Sequence, residues 1–222
     1  DKDKQLMREA ARKAGLIGFG YDEDRRLELT LEPEAAAIHC LKNAKFGLEA
    51  GDSFMVVDCG GGTVDITVHQ KSETGGLNEL AAGTGGAYGS KYVDIEFLSF
   101  IRSVLTANLL DNFVLSEPLE YLEILNEWER LKCNYDPARG GEYFYIQIPV
   151  KLHRMLEKHP EIIKYLKETQ NGEDTLIYIS RANLENMFNK VIDGTLHEID
   201  KQFSRLEKKQ CDYLFLVGGF AT

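Results

Sequence analysis

The sequence predicts an α/β fold in which a mixed sheet, flanked by helices, is interrupted by a mainly helical insertion. Short apolar runs at residues 53–58 and 212–217 are typical of strands. Between them lies a long region whose apolar residues recur at helical spacing, for example Leu119, Leu122 and Leu125. Because strand segments lie on both sides of this helical region, we expect it to be an insertion into one sheet.

The first part of the chain predicts a helix, a strand and a second helix. Good helix formers fill residues 4–14, and Gly15 supplies a stop. Leucines alternate with polar residues over 26–31, which is strand spacing. Glu32 and Pro33 then open an Ala-rich helix that we expect to run to about Asn43.

A three-stranded meander is predicted next. Its strands are residues 53–58, 63–69 and 77–82, and three consecutive glycines join the first two. The segments predicted after the meander are helices at 91–110 and 117–133, a β-like segment at 143–150, helical stretches at 152–169 and 182–208, and a buried closing strand at 212–217.

Composition narrows the class of protein. Of the 222 residues, 43% are hydrophobic and 28% charged, which is ordinary for a globular chain and argues against disorder. The formal net charge of −10 disfavours electrostatic binding of nucleic acid or of an anionic membrane. The apolar runs are no longer than strands and the start of the chain has no signal-peptide form, so we expect no membrane span and a cytoplasmic location. The four cysteines form no CxxC pair, which argues against a zinc site or a disulfide framework.

The main chemical signal is the segment DCGGGTVD, residues 58–65. Consecutive glycines allow several backbone N–H groups to approach a bulky anion, and the hydroxyl of Thr63 can donate to a phosphate oxygen. Asp58 and Asp65 flank the glycines, and carboxylates beside a phosphate require a cation such as Mg²⁺. The alternative at this point is a glycine-rich hairpin with two solvated aspartates.

Two further glycine-rich stretches are weaker signals. Residues 83–91 (GTGGAYGSK) do not fit the P-loop pattern, because glycine would be needed at Thr84 and lysine at Ser90. The stretch is therefore either an anion-binding site at a helix N-terminus or a plain turn from strand to helix. The strand at 214–217 ends in Gly218 and Gly219, where a flat ring or a sugar can lie against the backbone.

Together these segments resemble the nucleotide-binding domain of the heat-shock 70-kilodalton family, an actin-like ATPase. VVDCGGGTVDITV resembles the second phosphate motif of the superfamily, LEPEAAAIHCL its Glu-Pro helix and LFLVGGFA its adenosine motif. The resemblance covers essentially the whole chain, and GTGGAYGSKYVD is most similar to the divergent animal branch numbered twelve. It implies an actin-like (ribonuclease H-like) fold with three parts: the C-terminal part of lobe I at 1–48, the lobe II core at 49–94 and 190–222, and a helical insertion at 95–189.

The resemblance also implies roles for individual residues. The catalytic set would be Asp58, Asp65 and Glu32, with Asp58 and Glu32 reaching Mg²⁺ through bound waters and Asp65 positioning the nucleophilic water. The residues implied to contact ATP or ADP are Gly60, Gly61, Gly62, Thr63, Gly89, Ser90, Glu129, Lys132, Gly218 and Gly219.

Some positions depart from the family pattern. Cys133 stands where the family has an arginine that stacks on adenine, Asp136 or a neighbour replaces a serine, and Phe220 replaces a small hydroxyl residue. The family's first phosphate loop, with its catalytic lysine, has no counterpart in these residues. We therefore expect an incomplete fragment, with little ATPase activity alone.

The implied function is an ATP-binding chaperone-like domain of the stress response, with nucleotide and client or regulatory proteins as partners and hydrolysis left open. One alternative is a catalytically weak or nucleotide-free scaffold that acts through protein–protein contacts. A sugar or acetate kinase with the same superfamily core is a poorer match, because the Glu-Pro and WERLK segments resemble heat-shock proteins.

Overall fold

The computed structural model describes residues 2–20, 25–43, 47–139, 141–169, 172–206 and 211–221. They form a mixed α/β structure. The helices are α1 (Lys2–Lys13), α2 (Glu32–Asn43), α3 (Lys91–Leu105), α4 (Ala107–Ser116), α5 (Pro118–Asn134), α6 (Val150–Leu156), α7 (Pro160–Thr169) and α8 (Arg181–Arg205). The strands are β1 (Ser53–Cys59), β2 (Val64–Lys71), β3 (Leu77–Gly86), β4 (Tyr143–Gln147), β5 (Leu176–Ser180) and β6 (Tyr213–Val217).

The larger sheet has the strand order β3-β2-β1-β6. Strand β6 runs parallel to β1, with Phe54 opposite Tyr213 and Asp58 opposite Val217. The turn between β1 and β2 is far too short for a crossover connection, so these two neighbours run antiparallel. The sheet is therefore mixed, and both the predicted meander and the predicted mixed sheet flanked by helices are confirmed.

The chain divides into two compact units. The first comprises Asp1–Asp58, Asp65–Thr84 and Lys201–Thr222, and the second Cys59–Val64 and Gly85–Asp200. The first unit holds most of the larger sheet, and its core includes Ala37 of α2 against Phe54 of β1. The lobe boundaries implied by the family resemblance stay a prediction.

The second unit is mainly helical, with a small sheet of its own. Phe97 of α3 and Trp128 of α5 stack with ring centroids 4.2 Å apart. Strands β4 and β5 pair antiparallel, with Tyr143 opposite Ser180. Strand β5 was not predicted from the sequence. Among the helices that the structure describes, none carries an apolar stretch long enough to cross a bilayer.

The strand predicted at 26–31 is wrong, because described residues 25–31 form no strand. A strand needs a neighbour for its backbone groups, and here Arg8 of α1 donates from Nη1 to the carbonyl of Leu27 over 2.9 Å instead. Leu31 is 52% exposed. The alternating leucines therefore lie in an irregular segment that is hydrogen-bonded to α1.

Two predicted helices are interrupted. The segment 91–110 forms α3 and α4, separated at Thr106, whose φ of 65° is incompatible with a continuous helix. The segment 152–169 likewise falls into α6 and α7, on either side of residues 157–159.

The closing strand β6 exists but is not buried as predicted. Phe215 and Val217 pack against the first unit's core, whereas Leu214 and Leu216, on the opposite face, are 45% and 59% exposed. Only one face of β6 is covered within the described part of the chain.

Candidate functional site: a triple-glycine turn

The turn between β1 and β2, residues 60–63, is called the glycine turn below. Three of its four carbonyl groups, those of Gly60, Gly61 and Thr63, accept hydrogen bonds. The Gly60 carbonyl accepts from the amide of Ser90 (3.2 Å), the Gly61 carbonyl from the amide of Lys91 (2.9 Å), and the Thr63 carbonyl from the amide of Gly60 (2.9 Å). These oxygens, which would repel an anion, are thus bonded within the protein.

The amide groups of the glycine turn behave differently. Within the described residues, the N–H groups of Gly61 and Gly62 donate no hydrogen bond. Gly61 is exposed and Gly62 half-buried, so the amides are not sealed in a core. Two neighbouring N–H groups without an acceptor in the protein form an anion-binding arrangement. The amides of Gly61 and Gly62 can therefore donate hydrogen bonds to phosphate oxygens.

The structure brings the second glycine-rich stretch against this turn. A Cβ atom added to Gly89 would lie 2.5 Å from the carbonyl carbon and oxygen of Gly61 and 2.5 Å from the carbonyl carbon of Gly62. No other residue type fits at this distance from fixed backbone. Gly89 thus lets the loop before α3 approach closely enough for the amides of Ser90 and Lys91 to bond the turn.

Tyr88 holds that loop on α8. Its ring lies over Gly194, where an added Cβ would be 2.2 Å from Cε1, and it also contacts Gly86. Gly194 is therefore required on α8 for this ring to pack. Sequence reasoning missed both residues, although an aromatic residue inside a glycine-rich loop was a usable signal.

In the first unit, Asp58 and Gly218 lie at one edge of the sheet. Asp58 is opposite Val217 in the parallel pair β1–β6, so Gly218 follows directly beyond it. Burial, and then the negative charge of Asp58, raise the pKa of the Cys40 thiol. Asp58 therefore lies close enough to Cys40 of α2 to interact with it electrostatically.

The other predicted carboxylates occupy exposed positions. Asp65 is exposed in β2, and Glu32 is exposed as the first residue of α2. In the described residues, no three His, Cys, Asp or Glu side chains are grouped so that they could hold a metal ion directly. Contact through bound waters, as the resemblance implies for Asp58 and Glu32, does not require such a group.

The predicted adenosine residues on α5 form an ion-pair network. The Lys132 ammonium lies 2.8 Å from Asp94 Oδ1 and 2.6 Å from Glu129 Oε2, and its side chain is only 7% exposed. Trp128 Nε1 also donates to Asp94 Oδ1 over 2.8 Å. Burial opposes the charge on Lys132, but the bonds to Asp94 and Glu129 outweigh it and raise its pKa. Lys132 is therefore a cation already neutralised by protein carboxylates.

Cys133 is exposed next to this network. Its thiol donates to Glu129 Oε1 over 3.4 Å. This bond, together with partial burial, raises the pKa of Cys133, which disfavours the reactive thiolate. Among the other departures, Asp136 accepts a hydrogen bond from the amide of Ala138 over 2.8 Å, a local turn contact. Neither residue supplies the stacking cation of the family pattern.

Comparison with known proteins supports the resemblance. No protein-family model matches the chain. Heat shock 70 kDa protein 12A of Mus musculus is 28% identical, over 98% of this chain and 41% of the relative. Heat shock 70 kDa protein 12B of Homo sapiens is 26% identical, over 98% of this chain and 40% of the relative. Chaperone protein DnaK of Thermoplasma volcanium is 23% identical, over 96% of this chain and 31% of the relative.

The chain spans about 41% of the length of the first of these relatives, so the alignment concerns a part of each relative. The predicted likeness to the branch numbered twelve is confirmed by the 12A and 12B proteins. The chain is a homologue of the heat-shock 70-kilodalton family.

Proposed function

We propose that the chain is part of a nucleotide-binding domain that holds the phosphates of ATP or ADP on the glycine turn. In this proposal the domain has the actin-like ATPase fold and serves a chaperone-like switch that responds to nucleotide. The observation that carries the proposal is the asymmetry of the turn, in which the carbonyls of Gly60, Gly61 and Thr63 are bonded while, among the described residues, the amides of Gly61 and Gly62 donate no hydrogen bond. Homology to the heat-shock 70-kilodalton family agrees with this assignment.

The residues fit a magnesium nucleotide in their chemistry. Asp58, Asp65 and Glu32 supply carboxylate oxygens, which Mg²⁺ prefers as direct ligands or through its waters. Mg²⁺, when bound, would neutralise negative charge on the phosphates. The amides of the glycine turn and the Thr63 hydroxyl would orient the phosphate oxygens, and Asp65 would hold and orient a water by accepting its hydrogen bond.

A thermal-shift measurement on the full-length protein tests the proposal. A ligand at one hundred times its Kd stabilises the folded state by about 2.7 kcal/mol, so MgATP or MgADP is expected to raise Tm by several degrees. Neither nucleotide changing Tm at millimolar concentration would contradict the proposal.

A matched pair of variants makes the test specific to the turn. An added Cβ at Gly61 meets no atom within 4 Å, so Gly61→Asp and Gly61→Asn both fit sterically. The aspartate would place a negative charge where the phosphate binds, whereas asparagine is its neutral isostere. We expect Gly61→Asp to lose the nucleotide-dependent shift and Gly61→Asn to keep more of it. Equal shifts in the two variants would argue against phosphate at this turn.

The α5 network favours a second candidate function, a scaffold that binds nucleotide weakly or not at all. Lys132 is occupied by Asp94 and Glu129, and Cys133 stands where an adenine-stacking arginine is expected. ATP affinity and turnover measured in parallel separate the two functions. Tight binding with turnover supports the ATPase, whereas binding without turnover, or weak or absent binding, supports the scaffold.

A further inference from the structure

We propose that Lys91 is a phosphate-binding residue, whose ammonium group contacts the anion held by the glycine turn. This inference rests on the proposed function, because it assigns a cation to the same turn. The family resemblance implies no role for Lys91, and the lysine that the family uses in catalysis belongs to a different loop.

The backbone of Lys91 is fixed to the turn. Its amide donates to the Gly61 carbonyl over 2.9 Å, and the neighbouring Ser90 amide donates to the Gly60 carbonyl over 3.2 Å. Gly89 allows the loop to approach the turn this closely, because a larger residue would not fit there. Lys91 is thus held at the glycine turn by two adjacent backbone bonds, independently of its side chain.

The side chain of Lys91 also lies beside the free amides. Its Nζ atom is 3.5 Å, and its Cε atom 3.9 Å, from the position that a Cβ on Gly62 would take. Gly62 is one of the two residues whose N–H groups have no acceptor among the described residues. The ammonium and the free amides therefore lie on the same small patch.

Among the described residues, no carboxylate forms an ion pair with Lys91. Lys132, Lys151 and Lys190 all form ion pairs shorter than 3 Å. Lys91, in contrast, pairs with no carboxylate among the residues that the structure describes, and its Nζ instead lies 5.2 Å from the centroid of the Tyr92 ring. In a chain with 36 acidic and 26 basic residues, a cation that remains unpaired is available for an anionic ligand.

The location of Lys91 on its helix argues against a role in helix stability. Lys91 is the first residue of α3, where the positive end of the helix dipole disfavours a cation. A bound phosphate would reverse this effect, because it would be attracted both by the helix terminus and by the ammonium. The position is unfavourable for an empty helix and favourable for one that faces an anion.

Calorimetric titration of the full-length protein with MgATP and with adenosine tests the inference. Lys91→Ala is expected to weaken MgATP binding about tenfold or more, because a charge-assisted hydrogen bond to phosphate is lost. Adenosine affinity should be unchanged, since adenosine carries no phosphate. Lys91→Arg keeps the charge and should retain most of the MgATP affinity. The control is Lys158→Ala, which removes an equal charge from an exposed residue outside the site.

The outcomes separate this inference from the proposed function. If the wild-type protein binds no MgATP, both the proposed function and the inference fail. If the wild-type protein binds MgATP and Lys91→Ala binds it equally well, only the inference fails. If Lys91→Ala weakens adenosine as much as MgATP, or Lys91→Arg loses as much affinity as Lys91→Ala, Lys91 does not act through its charge on phosphate.

Discussion

Replacing Gly89 by alanine is expected to disrupt the glycine turn. The added methyl group would lie 2.5 Å from three backbone atoms of Gly61 and Gly62. Carbon–carbon contacts are normally about 3.5–4.0 Å, so the overlap is about 1 Å. Because the neighbouring atoms are backbone, a rotamer change cannot relieve it. The loop before α3 must move away from the turn, which breaks the hydrogen bonds from the amides of Ser90 and Lys91.

The expected cost follows from this overlap. Overpacking by one methyl group typically costs about 1–3 kcal/mol. For a chain of this size, 1 kcal/mol lowers Tm by about 2–4 °C, so Gly89→Ala is expected to lower Tm by about 2–12 °C. Loss of the hydrogen bonds from Ser90 and Lys91 to the glycine turn should also abolish the nucleotide-dependent increase in Tm.

Thermal unfolding of the full-length protein, with and without MgATP, measures both effects. Gly47→Ala is the control, because an added Cβ there meets no atom within 4 Å and the residue has no positive φ. It should unfold close to the wild-type temperature and keep the response to nucleotide. The reasoning is refuted if Gly89→Ala and Gly47→Ala unfold at the same temperature and respond equally to MgATP.

Two further predictions concern stability. Lys132→Met leaves the Asp94 carboxylate without its ammonium partner and should cost about 1–3 kcal/mol in chemical denaturation. Lys190→Met breaks the ion pair with Glu96, in which the lysine is 67% exposed, and should cost less than about 1 kcal/mol. Equal losses of unfolding free energy in Lys132→Met and Lys190→Met would contradict the account. Burial lowers the pKa of His69, and the negative charges of Glu79 and Glu34 offset this only in part. As pH falls below about 6.5, His69 is therefore protonated in the unfolded chain before it is protonated in the folded protein. The contribution of neutral His69 to stability is complete above that pH and is lost as pH falls towards the lower pKa of the folded state. Between pH 7.5 and 5.5, Tm should therefore fall less in His69→Gln than in the wild-type protein. An equal fall of Tm in both proteins would contradict the lowered pKa of His69.

Local signals predicted the elements that depend on local chemistry. Glu32 and Pro33 mark the start of α2, since an acidic residue and a proline both suit the first helical turn. The segment 26–31 shows the limit of such signals. Its alternating leucines satisfy a strand pattern, but only the fold decides whether a partner strand is present.

Other differences have similar causes. The break at Thr106 depends on one positive φ, which the sequence gives no reason to expect at a threonine. Strand β5 contains β-branched and aromatic residues, which favour a strand. Because it has only five residues and lies directly before a long helix, its periodicity does not distinguish it from the first turn of that helix.

The candidate site was predicted in part. The glycine run and its flanking aspartates identified the turn between two strands, and the family resemblance implied that Gly89 and Ser90 contact the nucleotide. The reason that Gly89 must be glycine became visible only from the distance to Gly61. Lys91 was overlooked because the surrounding stretch was compared with the P-loop pattern, in which the lysine directly follows the glycine.

The most direct test of phosphate binding at the glycine turn is a crystal structure of the full-length protein with Mg²⁺ and a non-hydrolysable ATP analogue. We expect phosphate oxygens within hydrogen-bond distance of the Gly61 and Gly62 amides, with the Lys91 ammonium on the same phosphate group. A nucleotide bound elsewhere, with these two amides facing solvent, would contradict the account.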